Sequence, residues 1–441
     1  MYTVVLAAGQ SLRLKPIEDK NFLNFLGKPL LQHQLEQLVN LGLKGIVVVA
    51  RGHNLDRVKK LANQFQGVQV VEQKDLEGMA GAVLVAGKPV KKGEPILIVN
   101  ANDVLPDEAF LKILKEVKAE RGADGFLLGK KVARYFPGGY LKMQKNGLIQ
   151  SIIEKPGEGN EPSDLVNIVV HYHRDGQKFL EVLGKTSSKR DDRYEAALDS
   201  LLRKGAPYKA VIHNGSWKAF KYPWHILEIM EHFLERIPEF KKSSIKNKQV
   251  EIAPTAIVRG KVWLEEGVRL LDHAAVVGPA YIGRNTIIAT NALVRGSQLG
   301  ENCVIGFGSE IARSYLGNNV WTHTNYIGDS IIGNDVSFGA GCVTGNLRLD
   351  ERNIAVEIRG EKIDSGRTKF GLITGDHVRC GINTSFMPGV KIGHNSFVGA
   401  GLTLAQDVED GKYVYGKTEL IVKENKANLA EGSRKNMKKK I

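Results

Sequence analysis

A cluster of cationic side chains follows the first apolar run of the chain and could bind phosphate. Residues 6–29 read LAAGQSLRLKPIEDKNFLNFLGKP, with Gly9 in the turn and Arg13, Lys15 and Lys20 behind it. A small turn that contains glycine leaves backbone N–H groups accessible, and cations close to such a turn suit a phosphate. An ordinary turn between a strand and a helix, with a solvated basic rim, would have the same pattern, so both interpretations stay open at this point.

Two histidines, His171 and His173 in HYH, form a second candidate for chemistry. Alternate residues of a strand share one face, so the pair could suggest metal binding. A third ligand is not evident near them in the sequence. We therefore expect a structural or surface role for this pair.

Length and composition indicate a globular protein of more than one domain. The chain has 441 residues, of which 42% are hydrophobic and 25% charged. It contains no run of about 18 apolar residues, so we expect no membrane span. Cys303, Cys342 and Cys380 make an odd count without metal-type spacing. They are typical of small buried residues in a reduced compartment, and we expect a cytoplasmic location.

The net charge of +14 raises the possibility of a nucleic-acid partner. Part of this charge belongs to residues 421–441, where seven Lys and Arg residues against two Glu give +5 in a segment that we expect to be disordered. Elsewhere the basic residues are scattered, without aromatic interleaving or a recognisable nucleic-acid motif. We therefore expect no nucleic-acid partner, while acidic small molecules such as nucleotides would be attracted.

The first half of the chain alternates strand and helix patterns. The runs YTVVLA, GIVVVA and ILIVN predict buried strands, and the spacing of Leu31, Leu35, Leu38 and Val39 predicts one face of a helix. Such alternation predicts a mostly parallel sheet with helices on both faces. Ligands of these sheets bind beyond the carboxyl ends of the strands, where AAGQS and NANDV fall. HILEIMEHFLERI predicts a connecting helix, and the basic stretch KKSSIKNKQ marks a boundary after it.

From about residue 250 the chain becomes a repeat. The segments IGRNTI, LGENCV, LGNNVW, IGNDVS and IGHNSF share an aliphatic residue, a glycine, and small or polar residues. The glycines at positions 283, 300, 317 and 333 are spaced by 17, 17 and 16 residues. This spacing is close to three hexapeptides per turn and predicts a parallel β-helix, whose aliphatic residues stack into one continuous core.

The whole pattern resembles the bifunctional sugar-1-phosphate nucleotidylyltransferase/amino-sugar-1-phosphate acetyltransferases, and the archaeal type most closely. The resemblance implies an α/β class: a Rossmann-like mixed-sheet nucleotidyltransferase domain, then a left-handed parallel β-helix of hexapeptide repeats. We expect the first domain over residues 1–224, a linker helix and basic linker over 225–248, the β-helix over 249–420, and the basic tail over 421–441. It also implies a homotrimer.

The resemblance assigns roles around the first turn. The segment LAAG, then Arg13, Lys20 and GKP match the family pattern, and imply that Arg13 and Lys20 are catalytic. Ser11 replaces a glycine of that pattern and Asp19 a proline. Gln73 and Gly78 match the segment that reads a pyrimidine base, since a Gln side chain offers both a donor and an acceptor; a plain strand-to-helix loop is the alternative. The implied nucleotide-binding residues are Leu6, Ala8, Gly9, Gln73 and Gly78.

Asp103 in IVNANDV occupies the family's magnesium position, although an aspartate after a strand is otherwise usually a helix cap. The resemblance implies sugar-phosphate contacts from Gly139, Glu154 and Asn167. The family commonly has a second metal-binding aspartate where this chain has Ala219, in WKAFKYPWH. Lys221 then either compensates electrostatically beside the sugar phosphate, or nucleotidyl transfer is weak or lost.

The stretch WTHTNYIGDSIIGNDVSFGAGCVTGNLR resembles the acetyltransferase motif. His323 would be the catalytic base that takes a proton from the attacking amine, as suits a histidine near neutral pH. The sugar-phosphate residues implied here are Arg295, Arg313, Tyr326 and Asn346, and the acetyl-CoA-binding residues are Ala340 and Ala400. Ser337 replaces an asparagine of the bacterial enzymes.

The resemblance thus implies a two-site enzyme that uses Mg²⁺ and acetyl-CoA. It would combine a nucleoside triphosphate with a sugar 1-phosphate to give an NDP-sugar, with UDP-N-acetylglucosamine expected, and pyrophosphate. One alternative is a nucleotidylyltransferase for UTP or dTTP and glucose 1-phosphate whose β-helix only trimerises. The other is a non-catalytic sugar- or nucleotide-binding trimer, which Ala219 and Ser11 would favour.

Overall fold

The computed structural model describes residues 1–75, 78–188, 192–245, 249–417, 419–427 and 438. Most of the predicted basic tail, and part of the predicted basic linker, lie outside the described residues. Among the described residues, no helix combines the length and apolar character needed to cross a membrane.

The first half is a mixed sheet with helices on both faces. Its strands are β1 Tyr2–Leu6, β2 Asn24–Phe25, β3 Lys28–Pro29, β4 Ile46–Ala50, β5 Gln69–Glu72, β6 Ile96–Asn100, β7 Asp103–Val104, β8 Gly125–Lys131, β9 Gly139–Met143, β10 Ile149–Glu154, β11 Leu165–His173, β12 Tyr208–Ile212 and β13 Lys218–Ala219. Its helices are α1 Leu30–Asn40, α2 Leu55–Ala62, α3 Gly78–Gly87, α4 Asp107–Ala119, α5 Gly176–Lys185 and α6 Arg193–Arg203.

The central strands are paired in the order β10-β9-β11-β6-β1-β4-β5, with β8 joining β11 to β12. The strands β6, β1, β4 and β5 run parallel, as the three apolar runs predicted. The expectation of a mostly parallel sheet is wrong for the other half, because β11 runs antiparallel to β6, β8 and β9. Separate apolar cores cover the two faces of the sheet.

The predicted helix face of α1 is correct for Leu31, Leu35 and Leu38, which are fully buried. Val39 was wrongly placed on it and is 39% exposed. Its position immediately after Leu38 turns its side chain by about 100° around the helix axis, away from the core.

The second half is a parallel β-helix, as the repeat predicted, and its described strands stack into three sheets. The first holds Glu251–Ile252, Arg269–Leu270, Ile287–Ile288, Val304–Ile305, Ser337–Phe338, Arg379–Cys380, Phe397–Val398 and Tyr413–Val414. The second holds Ile257–Arg259, Ala275–Val277, Leu293–Arg295, Glu310–Ala312, Tyr326–Gly328, Val343–Thr344, Ser385–Phe386 and Thr403–Leu404. The third holds Val262–Leu264, Ala280–Ile282, Gln298–Leu299, Tyr315–Leu316, Ile331–Ile332, Ile373–Thr374 and Lys391–Ile392.

Glycines form one corner of the β-helix. A Cβ on Gly283 would meet the backbone of Gly300, a Cβ on Gly300 that of Gly317, and a Cβ on Gly317 that of Gly333. The next glycine in this stack after Gly333 is Gly375. The two are far apart in sequence because the chain makes a long excursion from the β-helix between them. This excursion carries a hairpin of Ala355–Ile358 and Glu361–Asp364. The cysteines predicted to be buried are buried and unpaired.

The predicted connecting helix is α7, His225–Leu234, which lies between the sheet and the β-helix. A common apolar cluster joins it to the first turn through Leu14 and Phe25, and to the β-helix through Tyr315 and Phe370. The excursion hairpin packs on the same cluster. The loop behind the first turn is therefore held from the β-helix side as well as from the sheet.

Candidate functional site

The turn after β1 is open where phosphate would have to approach. A Cβ added to Gly9 would meet no heavy atom within 4 Å. Leu6 is buried, and its carbonyl accepts a hydrogen bond from Ala101 N at 3.3 Å. Ser11, at the position of a family glycine, has a φ of 54° in the left-handed region. Its Oγ accepts a hydrogen bond from Lys20 N at 3.3 Å, so the serine joins the two ends of the loop.

Lys20 begins a short 3₁₀ turn, Lys20–Phe22, that Asp19 caps. Asp19 is buried, and its Oδ1 accepts from Asn21 N at 2.9 Å while its Oδ2 accepts from Asn54 Nδ2 at 3.0 Å. Asn21 and Asn54 each also donate to the carbonyl of Ala7, at 3.0 Å. The aspartate that replaces the family's proline therefore builds the loop that presents Lys20.

Charge around Lys20 is tightly organised. Burial lowers the pKa of Lys20 to about 8, against the opposing effect of the Asp103 and Asp19 carboxylates, and Arg13 lowers it further. Arg13 acts in the same direction on Lys221. Lys20 and Lys221 thus both interact electrostatically with Asp103, and Arg13 with both lysines.

Asp103 lies on β7, beyond the carboxyl end of β6, and its side chain is almost fully buried. Its Oδ1 accepts from Trp217 Nε1 and its Oδ2 from Asn100 Nδ2, both at 3.0 Å. Burial raises the pKa of Asp103, and these hydrogen bonds and the nearby Lys221 oppose that rise. Ala219 on β13 is the direct partner of Asp103 in an antiparallel pairing.

The donor set around Asp103 fits a magnesium ion held by a single protein carboxylate. Mg²⁺ commonly takes one or two carboxylates and fills its remaining positions with waters and substrate phosphates. Across the described ranges, no group of three or more His, Cys, Asp or Glu side chains is arranged to hold a metal. Ala219 supplies no oxygen ligand from its side chain, so substrate oxygens would have to complete the coordination.

Lys221 follows β13 and bridges two parts of the site. Its Nζ donates to the carbonyl of Pro137 and lies 3.9 Å from the ring centroid of Phe136. Burial lowers the pKa of Lys221 to about 8, and Asp103 and Glu154 oppose the shift. Its ammonium group therefore lies between the predicted metal ligand and the predicted sugar side.

The three predicted sugar residues lie on neighbouring strands. Gly139 on β9 pairs directly with Glu154 on β10, and a Cβ on Gly139 would lie 3.1 Å from Glu154 Oε2. Asn167 lies on β11, which pairs with β9 one residue earlier, at Val166. Sequence reasoning missed Glu195 on α6. Burial, with Glu154 nearby, raises the pKa of Glu195 to about 7.

The two residues predicted to read a base are in contact. Gln73 is 5% exposed, and its Nε2 donates to the carbonyl of Gly78 at 2.9 Å. Gly78 begins α3 with a φ of 55°. The Gly78 carbonyl accepts one hydrogen bond from the Gln73 side chain and so fixes the orientation of the Gln73 amide group.

The histidines of HYH are buried within the sheet half. His171 and His173 are at most 1% exposed and hydrogen bond to buried tyrosines and to Asn167, rather than forming a surface or metal pair. Of the two roles expected for them, the surface role is wrong, because both rings are buried.

In the β-helix, three predicted sugar-phosphate residues surround a buried carboxylate. Arg313 forms a two-pronged ion pair with Asp329, with Nε–Oδ1 at 2.7 Å and Nη2–Oδ2 at 2.6 Å. Asn346 Nδ2 donates to Asp329 Oδ2 at 2.5 Å and to Tyr326 Oη at 3.2 Å. Asp329 was not identified from the sequence, although its position three residues after Tyr326 could have indicated a place in this group. Arg295 lies one coil away and pairs with Glu310 at 2.7 Å instead.

His323 presents an exposed ring from a backbone that is held on both sides. Its N–H donates to Asn325 Oδ1 at 2.7 Å, and its carbonyl accepts from Ser309 Oγ. The predicted acetyl-CoA residues Ala340 and Ala400 are exposed two coils apart. The coil that contains Ile382 lies between them. Asn383 N donates to the carbonyl of Ala340 on one side, and Gly401 N donates to the carbonyl of Ile382 on the other, both at 2.9 Å.

Comparisons with known proteins agree with this architecture. Residues 2–221 match the nucleotidyl transferase family, and residues 371–406 match the hexapeptide repeat of succinyl-transferase. Bifunctional protein GlmU of Methanocaldococcus jannaschii is 30% identical to the chain, over 97% of this chain and 100% of that protein. The protein of the same name from Methanococcus vannielii is 32% identical, over 96% and 99%.

A third relative carries a more explicit name. The bifunctional sugar-1-phosphate nucleotidylyltransferase/acetyltransferase of Sulfurisphaera tokodaii is 30% identical, over 94% of this chain and 99% of that protein. These relatives match the sheet and the β-helix together, as one continuous chain. The chain therefore belongs to the family of bifunctional GlmU-type nucleotidyltransferase/acetyltransferases.

Proposed function

We propose that the sheet half converts a nucleoside triphosphate and a sugar 1-phosphate into an NDP-sugar and pyrophosphate. A phosphate oxygen of the sugar attacks the α-phosphorus, and the bond from that phosphorus to the oxygen of the leaving pyrophosphate breaks. Reactions of this class depend on in-line positioning and neutralisation of charge. The observation that supports the proposal is that Lys20 and Lys221 both interact electrostatically with Asp103, and Arg13 with both lysines.

Each charged side chain then has a role. Arg13 stabilises the leaving pyrophosphate, Lys20 the α-phosphate, and Lys221 the sugar phosphate. Asp103 would hold Mg²⁺, which supplies charge neutralisation when bound. The backbone N–H groups of Ala8 and Gly9, in the turn, donate hydrogen bonds to phosphate oxygens.

The base and the sugar are recognised at opposite sides of these cations. Gln73 donates to Gly78, so its Oε1 is left to accept from the base; a uracil or thymine offers an N–H donor there. Gly139, which has no side chain, lets the Glu154 carboxylate lie against β9, and we propose that this carboxylate contacts the sugar. We propose UTP and N-acetylglucosamine 1-phosphate as the preferred pair, with UDP-N-acetylglucosamine as the product.

We propose that the β-helix transfers an acetyl group from acetyl-CoA to an amino-sugar 1-phosphate. His323 takes a proton from the amine as the amine nitrogen attacks the thioester carbonyl, and the C–S bond breaks to release coenzyme A as the thiol. Arg313, Tyr326 and Asn346 bind the sugar phosphate. Backbone groups at Ala340 and Ala400 line the path of coenzyme A.

These activities are assigned to residues 1–224 and 249–420, joined by 225–248 and followed by the tail 421–441. We propose a homotrimer formed through the β-helix, because its outer faces carry large exposed apolar side chains. Trp321 and Phe397, in one vertical row, are 57% and 51% exposed. The buried, unpaired cysteines suit a reduced compartment, and we propose the cytoplasm.

A substrate panel tests the proposal. Purified protein is given UTP, dTTP or ATP with N-acetylglucosamine, glucosamine or glucose 1-phosphate, and pyrophosphate and free thiol are measured separately. We expect magnesium-dependent pyrophosphate from UTP and N-acetylglucosamine 1-phosphate, and thiol from acetyl-CoA and glucosamine 1-phosphate. Pyrophosphate without thiol under all conditions would favour the single-activity nucleotidylyltransferase. If neither pyrophosphate nor thiol is released, the result would favour a non-catalytic binding protein.

A further inference from the structure

A row of buried polar side chains leads through the sheet half to Asn167. Tyr208 Oη lies 2.8 Å from His173 Nδ1, and His173 Nε2 lies 3.3 Å from Tyr194 Oη. Tyr194 Oη lies 2.8 Å from His171 Nδ1, and His171 Nε2 lies 2.9 Å from Asn167 Oδ1. The two histidines and two tyrosines are at most 3% exposed, so these side chains have no bulk water with which to exchange hydrogen bonds.

Both imidazole rings in this row are neutral. Burial lowers the pKa of His171 to about 3, and burial and the adjacent His171 lower that of His173 well below its usual value. A neutral imidazole donates from one nitrogen and accepts at the other. Each ring can therefore receive a hydrogen bond at one nitrogen and donate one from the other along the row. The carbonyl of Ile168 is a further acceptor for the ring of His171.

The end of the row at Tyr208 selects the direction. When Tyr208 O–H donates to His173, every hydrogen in the row has an acceptor, and the last donor is His171 Nε2–H to Asn167 Oδ1. In the reverse direction Asn167 would donate and Tyr208 would receive, which leaves the Tyr208 hydroxyl hydrogen to be placed elsewhere. Within the described part of the chain, that hydroxyl makes its hydrogen bond with His173 alone. The first direction satisfies more buried donors and is favoured.

We propose that His171 is a positioning residue for sugar recognition, which fixes the Asn167 side chain with its oxygen inward and its NH₂ group toward the sugar. The inference rests on the proposed function, because that function places the sugar beside Gly139, Glu154 and Asn167. Asn167 then acts only as a donor and Glu154, when ionised, only as an acceptor. The preferred sugar 1-phosphate must offer Asn167 an oxygen that accepts.

Tyr194→Phe tests the proposal while keeping the ring in the core. It removes the O–H that holds His171 in the required tautomer, so both orientations of the Asn167 amide become accessible. We expect the Kd of N-acetylglucosamine 1-phosphate, measured by calorimetry, to rise about tenfold, the effect of one lost hydrogen bond. The Kd of UTP stays unchanged. Tyr172→Phe, on the same strand but packed in the core on the other face of the sheet, is the matched control and changes the sugar Kd less than about twofold, because its hydroxyl is not part of the row.

Two further measurements distinguish positioning from a general structural effect. With monodeoxy analogues of the sugar 1-phosphate, the penalty of Tyr194→Phe disappears for the analogue that lacks the oxygen contacted by Asn167, and persists for the others. Equal penalties for all analogues overturn the proposal. Neutron diffraction of the wild-type protein shows the proton of His171 on Nε2. A proton on Nδ1 overturns the proposal whether or not any variant folds.

These results are separable from the proposed function. If the wild-type protein releases no pyrophosphate with any sugar 1-phosphate, the proposed function fails, and the neutron result still decides the tautomer. If pyrophosphate is released but Tyr194→Phe leaves the sugar Kd unchanged, only the positioning role of His171 fails.

Discussion

Asp103 and Ala219 face each other as direct partners across two antiparallel strands. Residues paired in this way have Cβ atoms roughly 5 Å apart and project to the same face. A carboxylate at position 219 would therefore lie beside that of Asp103, where the family commonly has its second metal ligand. This chain has Ala219 at that position, and Lys221 lies close by, between Asp103 and Glu154.

The double replacement Ala219→Asp with Lys221→Gly should lower the magnesium requirement. It restores a second carboxylate and removes the ammonium group that would neutralise it. We expect half-maximal pyrophosphate release at a lower Mg²⁺ concentration than in wild type, while Lys221→Gly alone weakens sugar-phosphate binding. Lys218→Asp is the matched control, since residue 218 pairs with Val104 and projects to the opposite face. An unchanged requirement in the double variant, with unchanged binding in the single one, would place this segment outside the chemistry.

The rate of nucleotidyl transfer should fall as the pH rises, and the fall should occur at a lower pH than the usual pKa of lysine would predict. Burial lowers the pKa values of Lys20 and Lys221 to about 8. Lysine is cationic below its pKa, so the charge that neutralises phosphate is present below about pH 8 and is lost as the pH rises through that value.

We therefore expect kcat/KM for pyrophosphate release to fall above about pH 8. Bound triphosphate favours the protonated lysines, so kcat falls at a higher pH than kcat/KM. Acetyl transfer by the same preparation does not share this decline. A decline centred near the ordinary lysine value would show that these two amines are not the groups that titrate.

Gln298 of the β-helix should stabilise the loop of the sheet half. Its Oε1 accepts from Leu26 N at 2.9 Å and its Nε2 donates to the carbonyl of Asn24 at 2.6 Å. Gln298→Ala leaves two backbone groups unpaired in a largely buried contact, at a cost of about 1–3 kcal/mol for each. We expect a lower Tm of the sheet half by calorimetry. Arg284→Ala, which removes two exposed ion pairs of the same β-helix, is the control and should change the Tm little.

Asp329→Asn should impair acetyl transfer without affecting nucleotidyl transfer. Asp329 orients Arg313 and Asn346, and the ion pair raises the pKa of Arg313. With a neutral amide in its place, the guanidinium loses its two-pronged partner. We expect the KM for glucosamine 1-phosphate to rise about tenfold or more, because charged hydrogen bonds contribute more than neutral ones.

The control for this prediction is Glu310→Gln, which changes the partner of Arg295 on the neighbouring coil. A comparable rise in KM for Glu310→Gln would show that Arg295, rather than the group around Asp329, binds the sugar phosphate. Pyrophosphate release that falls in parallel for Asp329→Asn would indicate misfolding.

Periodic features of the structure could be predicted from the sequence. The parallel strands β1, β4 and β6 are short apolar runs, and the β-helix follows from glycines that recur once per coil. Local patterns also predicted that AAGQS and NANDV lie at the edge of the sheet where ligands bind, whereas the roles of Lys20 and Asp103 came from the resemblance and stay predictions. The compensating roles of Ser11 and Asp19 depend on loop geometry, which residue types alone do not specify.

Long-range pairings were beyond prediction. Gln298 contacts Asn24 and Leu26 across more than 270 residues of chain, and no local pattern in either segment indicates the other. The same holds for the row of histidines and tyrosines, whose members come from β11, α6 and β12. The mixed sheet that the resemblance implied is confirmed, but the apolar runs alone did not indicate its antiparallel half, because strand patterns carry no direction.

The most direct test of the central claim, two separate active sites in one chain, is a crossed pair of substitutions assayed for both products. Lys20→Ala should remove most pyrophosphate release and leave thiol release at the wild-type rate, and His323→Ala should do the reverse. Lys15→Ala, an exposed cation of the same loop, is the control for Lys20→Ala. Loss of both activities in either folded variant would contradict the claim.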